Sequence, residues 1–132
     1  MLVNAHPGVF ILPTMDPALY KRALDFAATR HGAQKVPGKP YSYVVHLTKV
    51  AMETMLACAA DPTLRADLAV TCALLHDSIE DAGVTDAELT ASFGAEVAAG
   101  VRALTKDKTL AKEQKMADSL RRIQAAPREV RV

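Results

Sequence analysis

His76, Asp77, Glu80 and Asp81 bring an imidazole and three carboxylates into six residues, directly behind the largely apolar segment Leu68 to Leu75. Read as one helix at about 100° per residue, His76 and Glu80 lie one turn apart, as do Asp77 and Asp81, and all four fall within an arc of about 140°. Buried carboxylates are costly unless they are paired, hydrogen-bonded or bound to a metal, so such a cluster at the end of a greasy helix asks for a cation. His46 supplies a third ligand if a helix pair brings the two imidazoles together. Two imidazoles and a carboxylate, with no thiolate, suit Mn²⁺, Fe²⁺ or Zn²⁺ in an open site better than a structural zinc. An ion held that way acidifies a bound water. Glu80 and Asp81 then stand ready to accept its proton, or to orient the water and return a proton to the leaving group. Each piece also has a plainer reading: His46 as a hydrogen-bonded helix histidine, Glu80-Asp81 as a solvated helix end. Acidic residues at a helix C-terminus oppose the dipole, which counts against the second of these.

The elements that must hold these residues are helical. Asp16-Pro17 reads as a cap followed by proline at the first helical position, with Leu19, Ala23, Phe26 and Ala27 on one face and His31-Gly32 as the stop. Pro37, Gly38 and Pro40 make Gln34 to Tyr41 a loop. Ser42 can cap a second helix running to about Ala60. Asp61-Pro62 repeats the cap-plus-proline start for a third, which the spacing carries through the acidic cluster to about Gly83. Thr85-Asp86-Ala87-Glu88 is a capping box and opens a short helix ending at Gly94. A helix around Glu96 to Leu104 and a last one over Lys112 to Ala126, stopped by Pro127, complete the chain. No period-two alternation stands out, and the fold expected is an all-α bundle of one domain, residues 16–132, behind a tail at 1–15.

Composition agrees. The 132 residues suffice for one domain with a real core, half of them are hydrophobic, Trp is absent and only six are Gly. A net charge of +1 gives no bulk argument for nucleic acid or membrane, and no apolar run reaches a membrane span. The apolar start from Met1 to Pro13 has no basic leader and is not read as a secretory signal. Cys58 and Cys72, 14 residues apart in apolar helical patterns, read as buried free thiols, in keeping with a cytoplasmic protein, with a disulfide or a thiolate metal site as the alternative. From Lys106 onward eight Lys/Arg face four Asp/Glu, which a solvated helix face explains and an anion site would sharpen.

The string Ala73-Leu74-Leu75-His76-Asp77-Ser78-Ile79-Glu80-Asp81, with His46 upstream, resembles the HD phosphohydrolase superfamily, and within it the RelA/SpoT hydrolase domain and its small stand-alone alarmone hydrolases. Tyr43-Val44-Val45-His46-Leu47, Arg30 to Lys35, Phe93-Gly94-Ala95-Glu96-Val97 and Thr105 to Lys112 are similar to further family segments, in unbroken order over about residues 17 to 132. The resemblance implies an all-helical HD bundle, one Mn²⁺, and hydrolysis of guanosine 3′,5′-bis(diphosphate), ppGpp, with loss of the 3′-diphosphate as pyrophosphate to leave GDP or GTP. It makes His46, His76 and Asp77 metal ligands. Glu80 and Asp81 then serve the attacking water, Tyr43 lies near the nucleotide, and Lys35 and Lys112 meet phosphates. His31 matches a family histidine that is not a ligand, and His6 has no counterpart.

Two departures bear on activity. Val36-Pro37 follow Lys35 where the family has a second basic residue. The family's fourth ligand, an aspartate in a Lys-Leu-Ala-Asp-Arg helix, comes after the segment matched by Arg128 to Val132. Without that helix the ion is expected to bind more weakly, and the apolar surface it would cover is expected to favour self-association. The alternatives are therefore another nucleotide phosphohydrolase of the superfamily, or an inactive module binding a nucleotide or partner.

Overall fold

A computed structural model describes residues 15–107 and 109–132; His6 and Lys108 lie outside them. Among the described residues there are seven α-helices and a C-terminal 3₁₀ turn: α1 (Pro17–His31), α2 (Val44–Ala60), α3 (Ala66–Leu75), α4 (Ser78–Ala82), α5 (Asp86–Phe93), α6 (Ala95–Leu104), α7 (Lys112–Ala125) and the turn Arg128–Arg131. No strand occurs among them, and an isolated antiparallel bridge between Lys35 and Ser42 closes the α1–α2 loop. The all-α bundle expected from the sequence is the fold observed. Among the described residues no helix is long and apolar enough to cross a membrane.

The bundle is built around α3. Its residues Ala66 and Leu68 to Leu75 are all buried, because it meets α2, α1, α6 and the C-terminal turn on successive faces. A helix apolar all round is stable only in such a position. Leu47 of α2, Ala23 and Ala27 of α1, Leu89 of α5 and Val101 of α6 fill the space around it. The Phe26 and Phe93 rings meet edge to face at 5.4 Å and join α1 to α5. Gly100 of α6 permits a close approach: a Cβ there would lie 2.7 Å from Cys72 Sγ and 3.1 Å from a Val130 methyl. Cys58 and Cys72 are buried free thiols. By contrast α7 buries no residue, and leaves Met116 and Leu120 exposed.

Caps follow the local chemistry in two places. Asp16 Oδ1 accepts from Ala18 N at 3.0 Å at the start of α1, and Thr85 and Glu88 form the reciprocal capping box of α5. The start of α3 departs from expectation. Asp61 does not open the helix; its carboxylate accepts from the Thr63 backbone N at 3.1 Å and the Thr63 hydroxyl at 2.6 Å and so closes a turn. The helix begins at Ala66, and the carboxylate that caps the residue before it is that of Glu129, which accepts from Arg65 N at 3.0 Å and pairs with the Arg65 guanidinium at 3.3 Å. Arg128 reaches back to Asp61 at 2.6 Å. The C-terminal turn is thus latched onto the α2–α3 connection by two adjacent residues.

The second departure concerns the acidic cluster. The helix expected to continue to Gly83 breaks instead at His76-Asp77. Asp77 leaves the helical range with φ −99° and ψ 3°, the buried Ser78 hydroxyl donates to the Leu75 carbonyl at 2.7 Å, and a new short helix runs to Gly83, whose φ of +66° ends it. The single 140° arc of four residues therefore does not exist. His76 and Asp77 sit at a joint, and Glu80 and Asp81 belong to a separate helix.

Gly100→Ala is expected to destabilise the fold by about 1–3 kcal/mol despite alanine's better helix propensity, and Cys72→Ala in the same chain to recover part of the loss, as read by chemical denaturation. The Arg65 backbone N–H, outweighing burial with help from the Arg65 guanidinium, holds the Glu129 carboxyl below its ordinary value. A depressed folded-state value means the stabilisation is present above the unfolded value of about 4.3 and is lost as pH falls through the folded one. Denaturation midpoints of wild type and Glu129→Gln should therefore differ at neutral pH and converge in acid.

Candidate metal centre

Three helix ends converge on the joint between α3 and α4. His76 is the last helical residue of α3 in backbone conformation, Asp77 is the break itself, and His46 lies in the first turn of α2, which packs along α3. One donor atom from each of His46, His76 and Asp77 can be chosen so that all lie within 4.8 Å of one another. Asp77 Oδ2 is 2.8 Å from His76 Nε2 and 3.6 Å from His46 Nε2. The His76 ring is oriented from behind: its Nδ1 lies 2.6 Å from the Ala73 carbonyl oxygen, which can only accept, so Nδ1 carries the proton there and Nε2 faces the cluster. A backbone carbonyl holding the outer nitrogen is how metal-binding histidines are commonly fixed. The half-exposed His46 leaves one side of the cluster open.

Tyr43, the residue immediately before α2, is buried and donates its hydroxyl hydrogen bond to Asp77 Oδ2. Burial first, then the hydrogen bond and charge of Asp77 and the charge of Asp81, push this phenol well above its ordinary value, so it stays a donor. Burial raises Asp77, but His76, the Tyr43 hydroxyl and His46 outweigh it and leave the carboxyl below its ordinary range. Burial opposes a charged His76, but Asp77, the Ala73 carbonyl and Asp81 outweigh it and hold the ring above its ordinary value. Asp77 is thus an ionised carboxylate shared among three partners.

The donor set fits a divalent cation. Two nitrogens and one carboxylate oxygen converge, no cysteine joins that group among the described residues, and a cavity of about 170 Å³ opens beside His76 between Val50, Thr54, Cys72, Leu104 and Val130.

The other residues singled out from the sequence divide. Asp81 is exposed on α4 and close enough to act on both Tyr43 and His76. Glu80, on the same short helix, accepts from Lys106 N at 3.2 Å and so also ties α4 to the segment after α6. Lys35, on the α1–α2 loop, and Lys112, in the first turn of α7, are both exposed and stand outside the trio. The Ala73 carbonyl and the direct Tyr43–Asp77 bond were not read from the sequence. The carbonyl three residues before a histidine at a helix end is within reach of that ring, but the signal is usable only once the helix end is known.

A family model described as the HD domain matches residues 23–132. A probable guanosine-3′,5′-bis(diphosphate) 3′-pyrophosphohydrolase of Mycoplasma pneumoniae is 37% identical over 100 residues, covering 74% of this chain and 12% of that protein. Its namesake in Aquifex aeolicus is 33% identical over 110 residues, covering 83% and 15%. A protein of Brucella ovis named GTP pyrophosphokinase rsh is 37% identical over 116 residues, covering 84% and 14%. The chain thus spans only 12–16% of the length of the curated relatives it matches. With a family match over most of its length and the His/His-Asp trio at the α3–α4 joint, the chain belongs to the HD-domain family.

Proposed function

We propose that this chain is a metal-dependent phosphohydrolase acting on guanosine 3′,5′-bis(diphosphate), releasing the 3′-diphosphate as pyrophosphate. The convergence of His46, His76 and Asp77 carries this reading. The HD-domain match and the relatives named as 3′-pyrophosphohydrolases support it. Those three side chains would hold the cation, and Mn²⁺ suits their nitrogen–oxygen set. Bound there, the cation would supply Lewis acidity and a more acidic water.

The chain's own groups then have distinct tasks. Asp77, ionised and hydrogen-bonded by Tyr43, provides the negative charge of the ligand set. His76 presents Nε2 because Ala73 holds Nδ1. Asp81, and Glu80 beside it, accept the proton of the attacking water and return one to the 3′-oxygen of the nucleotide as its bond to phosphorus breaks. Exposed Lys35 and Lys112 meet the phosphates as point charges. Tyr43 is buried with its hydroxyl committed to Asp77, so it stands near the nucleotide as the support of that ligand.

Purified protein with Mn²⁺ should release pyrophosphate from ppGpp, and Glu80→Gln combined with Asp81→Asn should reduce turnover by about 10²-fold or more while leaving Mn²⁺ binding in place. Full turnover in that double variant would refute the assigned roles. A panel of nucleotides separates this substrate from others of the superfamily, and nucleotide affinity with no turnover would make the chain a binding module instead.

Chelation should abolish release, and Mn²⁺ should restore it. His46→Ala or His76→Ala should weaken Mn²⁺ affinity by more than the roughly 10- to 100-fold that loss of an outer-shell partner costs, measured by calorimetry. Unchanged affinity in both would exclude the trio as the metal centre.

A further inference from the structure

His31, the last residue of α1, is 6% exposed, although α1 ends there at the surface loop. Its Nδ1 lies 2.8 Å from Gln34 Oε1, and its ring centre is 4.9 Å from that of Tyr43, tilted by 32°. Gln34 in turn accepts the Tyr43 backbone N–H on its own carbonyl at 2.9 Å. The Tyr43 ring continues to His46 at 5.1 Å, and His46 to His76 at 5.4 Å. Four rings thus run from the end of α1 into the metal cluster, and the first is clamped by a loop residue that also clamps the second. Gly32, with φ +57°, lets the chain turn sharply enough for Gln34 to fold back on His31.

We propose that His31 is a positioning residue: clasped by Gln34 and lying against the Tyr43 ring, it holds the Tyr43 hydroxyl on the Asp77 carboxylate and so sets the orientation of that ligand. The Tyr43 backbone N–H is held by the Gln34 carbonyl and not by a preceding helical turn, since Tyr43 stands at the N-terminal edge of α2, and that bond leaves the direction of the side chain open. Its side chain therefore takes its direction from what it packs on and what it donates to. Removing the His31 ring leaves a gap beside the phenol, and the hydroxyl can then swing off Asp77. Gln34 acts one step further back, because its side chain fixes His31 while its main chain fixes Tyr43. This role rests on the proposed metal centre, but its geometry is that of the protein alone.

A double-mutant cycle tests it, with Mn²⁺ affinity and kcat/KM for ppGpp as separate readouts. His31→Ala should lower both about tenfold with Tyr43 present, and by less than about twofold in a Tyr43→Phe background, because the two act through one hydroxyl. Additive losses would overturn the proposal. Gln34 is only half-buried, so Gln34→Leu probes the clasp without emptying the core. It should reproduce part of the loss, and Gln34→Glu, which retains an acceptor for the His31 N–H, should restore it; equal losses in both would also overturn it. In the metal-free protein, the Tyr43 hydroxyl proton should give a protected NMR resonance, assigned by its absence from Tyr43→Phe and lost in His31→Ala. Its persistence in His31→Ala would refute the clasp even if the protein neither bound Mn²⁺ nor hydrolysed ppGpp, an outcome that would defeat the functional reading separately.

Discussion

The Asp77 carboxylate is the contact on which the site depends. One oxygen collects the Tyr43 hydroxyl, His76 Nε2 and His46 Nε2, from the edge of α2, the end of α3 and the first turn of α2. An ionised carboxylate withdrawn this far from water is tolerable only with such partners. They are donors, or rings that donate when protonated, and together they keep it charged against the cost of burial. The same arrangement makes it a ready ligand, since a cation can take over the compensation that the imidazoles provide in its absence.

The break between α3 and α4 makes that contact possible. On an unbroken helix, His76 and Asp77 would point about 100° apart. With Asp77 out of helical conformation, and Ser78 bonded back to the Leu75 carbonyl, Asp77 turns onto the neighbouring imidazole. The joint in turn needs a rigid base. α3 supplies it, being buried on every face and anchored at its other end by Glu129 and Arg65. A 1 Å error in ligand placement weakens a metal site, and the His76-Asp77 pair directly follows the most constrained helix of the bundle.

Much of this was legible from the chain. Asp16-Pro17, the Thr85–Glu88 box and Gly94 marked helix ends correctly because cap chemistry is local: donor, acceptor and turn lie within four residues. Asp61-Pro62 misled because the same local chemistry serves a turn equally well, and the true partner of the α3 start, Glu129, comes from 64 residues away. The helix through Gly83 was overextended for a related reason. Periodicity registers apolar spacing, and a one-residue break at Asp77 scarcely alters it.

By itself the sequence determined the helical class, the apolar character of α3 and the free thiols, because these follow from composition and short-range pattern. It could name His46, His76 and Asp77 without saying how they meet. Only the tertiary structure decided that Asp77 lies at a joint, that Tyr43 is committed to it, that Ala73 sets which nitrogen His76 presents, and that His31 stands behind Tyr43. Each of these depends on side-chain direction across a helix packing interface or a helix end. Direction is set by packing among residues distant in the chain, which no local spacing encodes.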